Sequence, residues 1–315
     1  MARTDSLHGN LSGATTRKIM EREFMIYHKA EYERLAHISV SHLYRLRQKK
    51  IYASYNRKWT KTMATATPIG ERRKPTPNEQ PGFLRVDTVH QGDQGRVKGV
   101  YHINAVDCVT QYECVATCEQ ISEAFLLPVM EEMLHSFPFV IHGFHTDNGS
   151  EYINKHVANL LGKLLVEQQT KSRSRHSNDN ALAESKNAAV VRKHLGYAHI
   201  PQHFASLVNK FCHDHLNPYT NYHRPCYFAM TKTDSKGKER KTYPYEMMAT
   251  PFEKLKSLPN VEKYLKPGTT IPDLEKKAME MSDTEAAEKM NAASQEMFGK
   301  IFAPTERHPE KAPLR

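Results

Sequence analysis

SNDNALAESKNAAVVRKHLG, residues 177–196, is the stretch that decides what kind of molecule this is. From Ala181 to Gly196 its apolar residues recur at helical spacing, with Asn180 placed to cap the helix start. At about 100° per residue, Ala181, Ala188, Val191 and Leu195 fall within roughly 60° of Glu184. Glu184 therefore shares the stripe expected to face a sheet, while Lys186 and Lys193 are expected on the opposite, exposed side. A carboxylate on a buried face is costly unless a cation or a metal pairs with it. Arg85 is one candidate cation, a stripe boundary at the surface is a second account, and a metal is a third.

Outward from that helix the chain alternates strands and helices. FLRVDTVH (83–90) has the period of two of a half-buried strand, and QGDQGRVKG (91–99) reads as a glycine-containing turn. VYHINAVDCV (100–109) and YECVATCEQ (112–120) continue as an antiparallel meander, with Asp107 as an ordinary turn residue. SEAFLLPVMEEMLHSF (122–137) predicts a helix with Ser122 at its N-cap and an irregularity at Pro128. FVIHGFHT (139–146) predicts a buried strand, HVANLLGKLL (156–165) a helix and VEQQT (166–170) a last strand. This order predicts an α/β fold with a mixed sheet. Aspartate is depleted in strands, yet Asp87 sits inside the first one. Asp147 closes the fourth strand, where Asn148 and Gly149 turn the chain. Two Mg²⁺ ions need hard oxygen ligands converging from different elements, and such a pair activates an attacking oxygen while stabilising the leaving one.

VDTVH around Asp87, HTDNGSEY (145–152) around Asp147 and SNDNALAESKN (177–187) around Glu184 together resemble the Asp-Asp-Glu core of retroviral integrases and bacterial insertion-sequence transposases. The likeness covers roughly residues 80–225. It implies a ribonuclease-H-like mixed five-stranded sheet flanked by helices, with helical N-terminal and C-terminal extensions. It also implies a polynucleotidyl transferase that cleaves and joins DNA strands with Mg²⁺ or Mn²⁺, two ions held by Asp87, Asp147 and Glu184, acting on mobile-element ends and target DNA as a homo-oligomer. The gap between Asp147 and Glu184 is 36 residues, one more than the best-known pattern, and the N-terminal region is short for the helix-turn-helix arms often seen in the family. A truncated or silent DNA-binding relative and a hydrolytic nuclease of the same fold are the alternatives.

The remaining features fit a DNA partner. Lys and Arg number 45 against 35 Asp and Glu, a formal net charge of +10 that favours an anionic partner. Lys171, Arg173, Arg175 and His176 precede the Glu184 helix and, with Lys186 and Lys193, are the expected phosphate contacts. Residues 1–55 read as helical, RKIMEREFMIYHKAEYERLA (17–36) followed by VSHLYRLRQKK (40–50) capped by Ser39 or Ser41. That pair is either a helix-turn-helix remnant presenting Arg45, Arg47, Lys49 and Lys50 or a plain helical hairpin. Residues 56–80 form a basic linker, 81–225 the catalytic core, and 226–315 a basic, partly helical extension. Within the extension, 232–245 is expected as an exposed basic segment and 272–302 as a helix or helical pair. The aromatics of NPYTNYHRPC (217–226) are expected to pack a helix on the core. Five cysteines without a CxxC pair, no secretory pattern and no apolar run long enough to span a bilayer predict a reduced, cytoplasmic protein, nucleoid-associated when on DNA.

Overall fold

A computed structural model describes residues 1–49, 51–52, 77, 79–146, 155–166, 168–171, 181–233 and 239–303. The linker expected at 56–80, apart from 77, 79 and 80, lies outside the described residues.

The sheet is built from β1 (Phe83–His90), β4 (Tyr101–Asp107), β5 (Glu113–Cys118), β6 (Gly143–Thr146) and β7 (Gln168–Lys171), in the order β5-β4-β1-β6-β7. β1 is antiparallel to β4 and parallel to β6, so the sheet is mixed. Between β1 and β4 the short pair β2 (Asp93–Gln94) and β3 (Val97–Lys98) turns at Gly95 and Arg96, both with positive φ. The period of two sends alternate side chains to opposite layers. Leu84, Val86, Ile103, Ala105, Cys114 and Ala116 join a core under α5 (Glu123–Ser136) and α6 (Lys155–Lys163). Val89, Val100 and Val115 face a second core. On that side α7 (Ala181–Lys186) contacts β1 and β4, and Val190, Val191, α8 (Arg192–Leu195), α9 (Ala205–Phe211) and the terminal α12 (Asp283–Ile301) roof the core. The apolar strand expected at 139–146 is shorter than the sequence suggested: β6 begins at Gly143, and Phe139 instead bridges Leu265.

Gly82 fixes how β1 enters. Its φ is +101°, its N–H donates to Asp107 at 2.7 Å, and its carbonyl accepts from His142 and Gly143 at 2.8 and 3.0 Å. Asp107 is thereby a structural residue, also accepting from the N–H groups of Val109 and Thr110. A Cβ at position 82 would stand 2.2 Å from the carbonyl oxygen of Val140, a backbone atom that cannot rotate away. Gly82→Ala combines this clash with a left-handed backbone, and should destabilise the chain by about 2–3 kcal/mol, measured by urea unfolding. An unchanged midpoint would show that β6 gives way freely.

β5 is an edge strand, and exposed edges invite pairing with other chains. Here three asparagine amides seal it. Asn209 accepts from Thr117 N–H at 2.5 Å and donates to its carbonyl at 2.7 Å. Asn217 does the same for Val115, at 2.9 and 3.1 Å, and Asn221 for Glu113, at 2.8 and 2.7 Å. They stand on the helical run 202–223, whose π-turns at Cys212–Leu216 and Tyr219–His223 break the ordinary register.

The N-terminal region differs from the expected helix pair. α2 (Gly13–Met25) starts at an N-cap on Ser12 and stops well short of residue 36, the chain turning at His28 with φ +54°. α1 (Ala2–Leu7) precedes it, and α3 (Glu33–Ala36) and α4 (Val40–Arg47) follow, the latter capped by Ser39. Arg47 does not project outwards. Its guanidinium donates to the fully buried Asp5 at 2.7 Å and to the Leu11 carbonyl at 2.9 Å. Asp283, at the start of α12, is also fully buried and receives Arg22 at 2.6 Å, with Tyr27 and His223 each at 3.2 Å. These contacts bind the N-terminal helices to the C-terminal helix and to the core.

The C-terminal region is more ordered in its elements than the sequence suggested. α10 (Pro251–Lys256), α11 (Ile271–Met279) and α12 are its described α-helices. The basic stretch expected as an exposed segment contains a hairpin, β8 (Met230–Thr233) with β9 (Glu239–Thr242). A ribbon with no apolar alternation gives no strand signal in sequence. Among the described residues no helix is long and apolar enough to cross a membrane.

Candidate active site

One face of the sheet carries a polar row beneath the helix that starts at Ala181. Asp87 on β1 is paired in register with Asn104 on β4, and Glu113 lies beyond on β5. Asp87 is half-buried. Its Oδ1 accepts from the Thr88 N–H at 2.9 Å and its Oδ2 from the Asn187 amide at 2.6 Å. The Asn187 oxygen in turn accepts from the Asn104 amide at 2.9 Å. Two amides thus tie the carboxylate to the neighbouring strand and to the helix above.

That bond ties the helical run that bears Glu184 to β1. Residues three apart on a helix are surface neighbours, with Cβ atoms about 5–6 Å apart. Glu184 is half-buried and stands three residues before Asn187 on the same helical run. Thr146, the last residue of β6, pairs in register with Val86, the residue before Asp87. Asp147 itself lies outside the described residues, as do Asn148, Gly149, Arg173, Arg175, His176 and Asn180. Lys171 ends β7 opposite Thr146. Among the described residues no group of three or more His, Cys, Asp or Glu is placed to hold a metal.

The helix is not the uniform one assumed from its sequence. Between α7 and α8 lies a π-turn at Asn187–Val191, and the Arg192 N–H reaches back to the Asn187 carbonyl. The buried residues are Ala183, Lys186, Val190, Val191 and Leu195, whereas Ala181 and Ala188 are exposed. Lys186 therefore corrects the sequence reading. Instead of an exposed phosphate contact, it is 6% exposed, with its ammonium 3.5 Å from Glu113 and 3.2 Å from the Cys226 sulfur. A charge that deep needs a partner, and Glu113, itself fully buried, supplies it. Burial raises the Glu113 carboxyl pKa, with Lys186 and Arg224 opposing the rise. Lys193 is half-buried, its side chain packed against Gly9.

The far end of the helix is clamped by Gln91, just past β1. Its amide nitrogen donates to the carbonyls of Leu195, Gly196 and Ala198 at 3.0, 3.2 and 2.9 Å. Its oxygen accepts from Arg192 at 3.1 Å and faces His102 at 3.1 Å. Arg224 supports the π-turn, donating to the Ala189 carbonyl at 3.3 Å, while Tyr219 and Tyr222 beside it are buried as expected of packing residues. Asn187, Asn104, Glu113 and Gln91 escaped the sequence reading, because neutral amides and a strand glutamate carry no charge pattern. One signal was present: an amide three residues after Glu184, close to one helical turn.

All five cysteines are free thiols, four of them buried. Burial pushes the Cys108, Cys114 and Cys118 thiols up to about 12, which leaves them poor nucleophiles.

No family model matches the chain. A curated relative, the uncharacterized protein y4rM of Sinorhizobium fredii (strain NBRC 101917 / NGR234), is 29% identical over 155 residues, which is 49% of this chain. The chain spans 44% of that relative's length. Among solved structures, a chain of the simian T-cell lymphotropic virus intasome in complex with PP2A regulatory subunit B56 gamma aligns with TM-score 0.33 and 12% identity, over 56% of this chain and 60% of its own. The catalytic core domain of BIV integrase aligns with TM-score 0.26 and 14% identity, over 36% of this chain and 64% of its own. These alignments are distant, and the functional reading rests on the chain's own residues.

Proposed function

We propose that this chain is a DNA strand-transfer enzyme of the Asp-Asp-Glu type on a ribonuclease-H-like sheet, with Asp87, Asp147 and Glu184 as its catalytic carboxylates. The observation that carries the reading is the Asn187–Asp87 hydrogen bond, which sets the turn bearing Glu184 over the strand bearing Asp87. The register of Thr146 beside Val86 brings the strand that leads into Asp147 alongside. Hard carboxylate oxygens from three elements are the donor set that Mg²⁺ or Mn²⁺ takes. Bound divalent ions would supply Lewis-acid activation of a water or a DNA 3′-hydroxyl and stabilise the leaving oxygen. The residues of this chain do the rest. Asn187 and Thr88 orient the Asp87 carboxylate, Gln91 anchors the helix end, and the buried Lys186–Glu113 pair holds that helix against the sheet.

The DNA partner is carried by the net charge of +10 and by the basic run 171–176 that leads into the helix. Action on mobile-element ends, a homo-oligomeric working form and a cytoplasmic, nucleoid-associated setting belong to the same proposal.

The test is joining of a labelled duplex, made from the DNA flanking the chain's own coding region, into a supercoiled plasmid. Joining in Mg²⁺ or Mn²⁺, blocked by EDTA, is expected. Nicking without joining would move the assignment to a hydrolytic nuclease. Metal-independent activity, or full activity in Asp147→Asn, would remove the assigned site.

A further inference from the structure

The hairpin β8–β9 is the part of the described surface whose composition is least suited to standing alone. Met230, Thr231, Lys232, Arg240 and Lys241 are all exposed and Thr242 is half-buried, so among its described side chains the ribbon has no fully buried one. A two-stranded hairpin without a core is marginally stable in water. Its register makes matters worse, because Lys232 is paired directly with Arg240. Like charges opposite one another on a ladder repel. Thr231 is paired with Lys241, adding a third cation on the other face. Among the described residues no carboxylate forms an ion pair with any of the three. An arrangement that repels itself when bare becomes favourable when an anion lies along it.

The ribbon is nevertheless firmly rooted, and its root adjoins the candidate active site. Cys226, four residues before β8, touches Lys186 at 3.2 Å, and Lys186 is two residues beyond Glu184. Cys226 and Ala249 exchange backbone hydrogen bonds at 2.7 and 3.2 Å, closing the base. Phe228 is buried there, with the Lys254 ammonium 5.6 Å from its ring. On the return side the Tyr245 hydroxyl donates to Glu21 at 2.8 Å, under the Arg17 guanidinium at 4.5 Å. Tyr243, between ribbon and root, is 57% exposed.

We infer that the β8–β9 ribbon is an arm that grips the phosphate backbone of duplex DNA, with Lys232, Arg240 and Lys241 as its contacts. The choice of DNA rests on the function proposed above. The grip itself rests on the like-charge Lys232–Arg240 pair and on its root beside the Glu184 helix. Three phosphate contacts release counterions, so they write themselves into the salt dependence of binding.

The experiment is fluorescence anisotropy of the full chain with a short labelled duplex over a salt series. Lys232→Gln, Arg240→Gln and Lys241→Gln combined should lower the slope of log affinity against log salt by roughly 2–3, and weaken binding more than about tenfold near 0.1 M salt. Lys232→Arg with Lys241→Arg, which keeps the charge, should retain the parent slope. The triple variant should melt no lower than the parent, since it removes repulsion. Parent-like affinity and slope in the triple variant, while the parent binds, would overturn the arm and leave the active-site proposal standing. Tighter binding of the parent to phosphatidylserine vesicles than to the duplex, lost in the triple variant, would also overturn it in favour of a membrane surface. No duplex binding by the parent would overturn both this arm and the function on which it rests.

Discussion

Asp87→Asn should cut metal-dependent strand joining by at least about 10³-fold, because a metal-binding carboxylate contributes several kcal/mol to the transition state and each ~1.4 kcal/mol is tenfold. The substitution is nearly isosteric and keeps an oxygen acceptor for the Thr88 N–H, so the fold should survive and circular dichroism should be unchanged. Asn187→Ala probes the support rather than the ligand. It removes the 2.6 Å donor to Asp87 and breaks the link to Asn104, while leaving all three acids in place. A hydrogen bond to a charged group is worth about 1.5–3 kcal/mol, so joining should fall by roughly ten- to a hundredfold. A positioning role makes a further demand: Mn²⁺, less strict in its geometry, should restore more activity to Asn187→Ala than to Asp87→Asn. Calorimetric titration with Mg²⁺ should show weakened binding in both variants. Equal metal affinity in parent and Asp87→Asn would take Asp87 out of the site whatever the activity assay shows.

The sheet was legible because its strands alternate. FLRVDTVH spans β1 to the residue, and Ile103, Ala105, Cys114 and Ala116 of β4 and β5 fall on one layer with Val115 on the other. Asp87 stood out because charge is rare in a strand, and Glu184 by an apolar stripe of which Ala181 and Ala188 are exposed and Glu184 itself is half-buried. The rest depended on contacts between distant parts of the chain. Lys186 was read as exposed because a lysine on an amphipathic helix ordinarily is, and its partner Glu113 lies 73 residues away on a strand edge. The N-terminal helices read as a basic surface because Arg47 counts as a free cation in sequence, whereas Asp5, 42 residues earlier, consumes it. The π-turn at Asn187–Val191 has no sequence signature at all. It shifts the helix face, so Leu195 remains buried although Ala188 is exposed. The local patterns thus place each element, and buried polar pairs decide how the elements meet.

Those buried polar groups should also set the acid limit of the fold. His8 is 1% exposed with Nδ1 2.5 Å from the Tyr219 hydroxyl, and burial drives its pKa down to about 4, Asp283 opposing and His223 and Lys193 reinforcing. His102 is fully buried between Thr117 at 2.9 Å and Gln91 at 3.1 Å, and burial with the nearby Arg192 takes it to about 3. His194, its Nε2 shut from solvent, is taken to about 3 by burial with Arg224, Lys193 and His8. In each case the folded pKa lies below the unfolded value of about 6.5, so the unfolded chain binds more protons below that pH. The stabilisation is complete above about pH 6.5 and is lost as pH falls through 6 and 5 towards 4. Each imidazole contributes a little over ~1 kcal/mol per pH unit in that window, and the three together roughly 4. Against a typical stability of about 5–15 kcal/mol, the chain should unfold in mild acid, before its carboxylates are titrated. Asp283 acts lower. Burial favours its neutral form, but Arg22 and the hydrogen bonds from His223 and Arg22 hold it below the usual carboxylate range, so its contribution fails only below that range. Urea unfolding at a series of pH values should show the loss between about 6.5 and 4.5, and His102→Gln, which can keep both neutral hydrogen bonds, should reduce the slope by about a third. A stability flat from neutral pH to 5, or an undiminished slope in His102→Gln, would show that protons reach these rings without opening the fold.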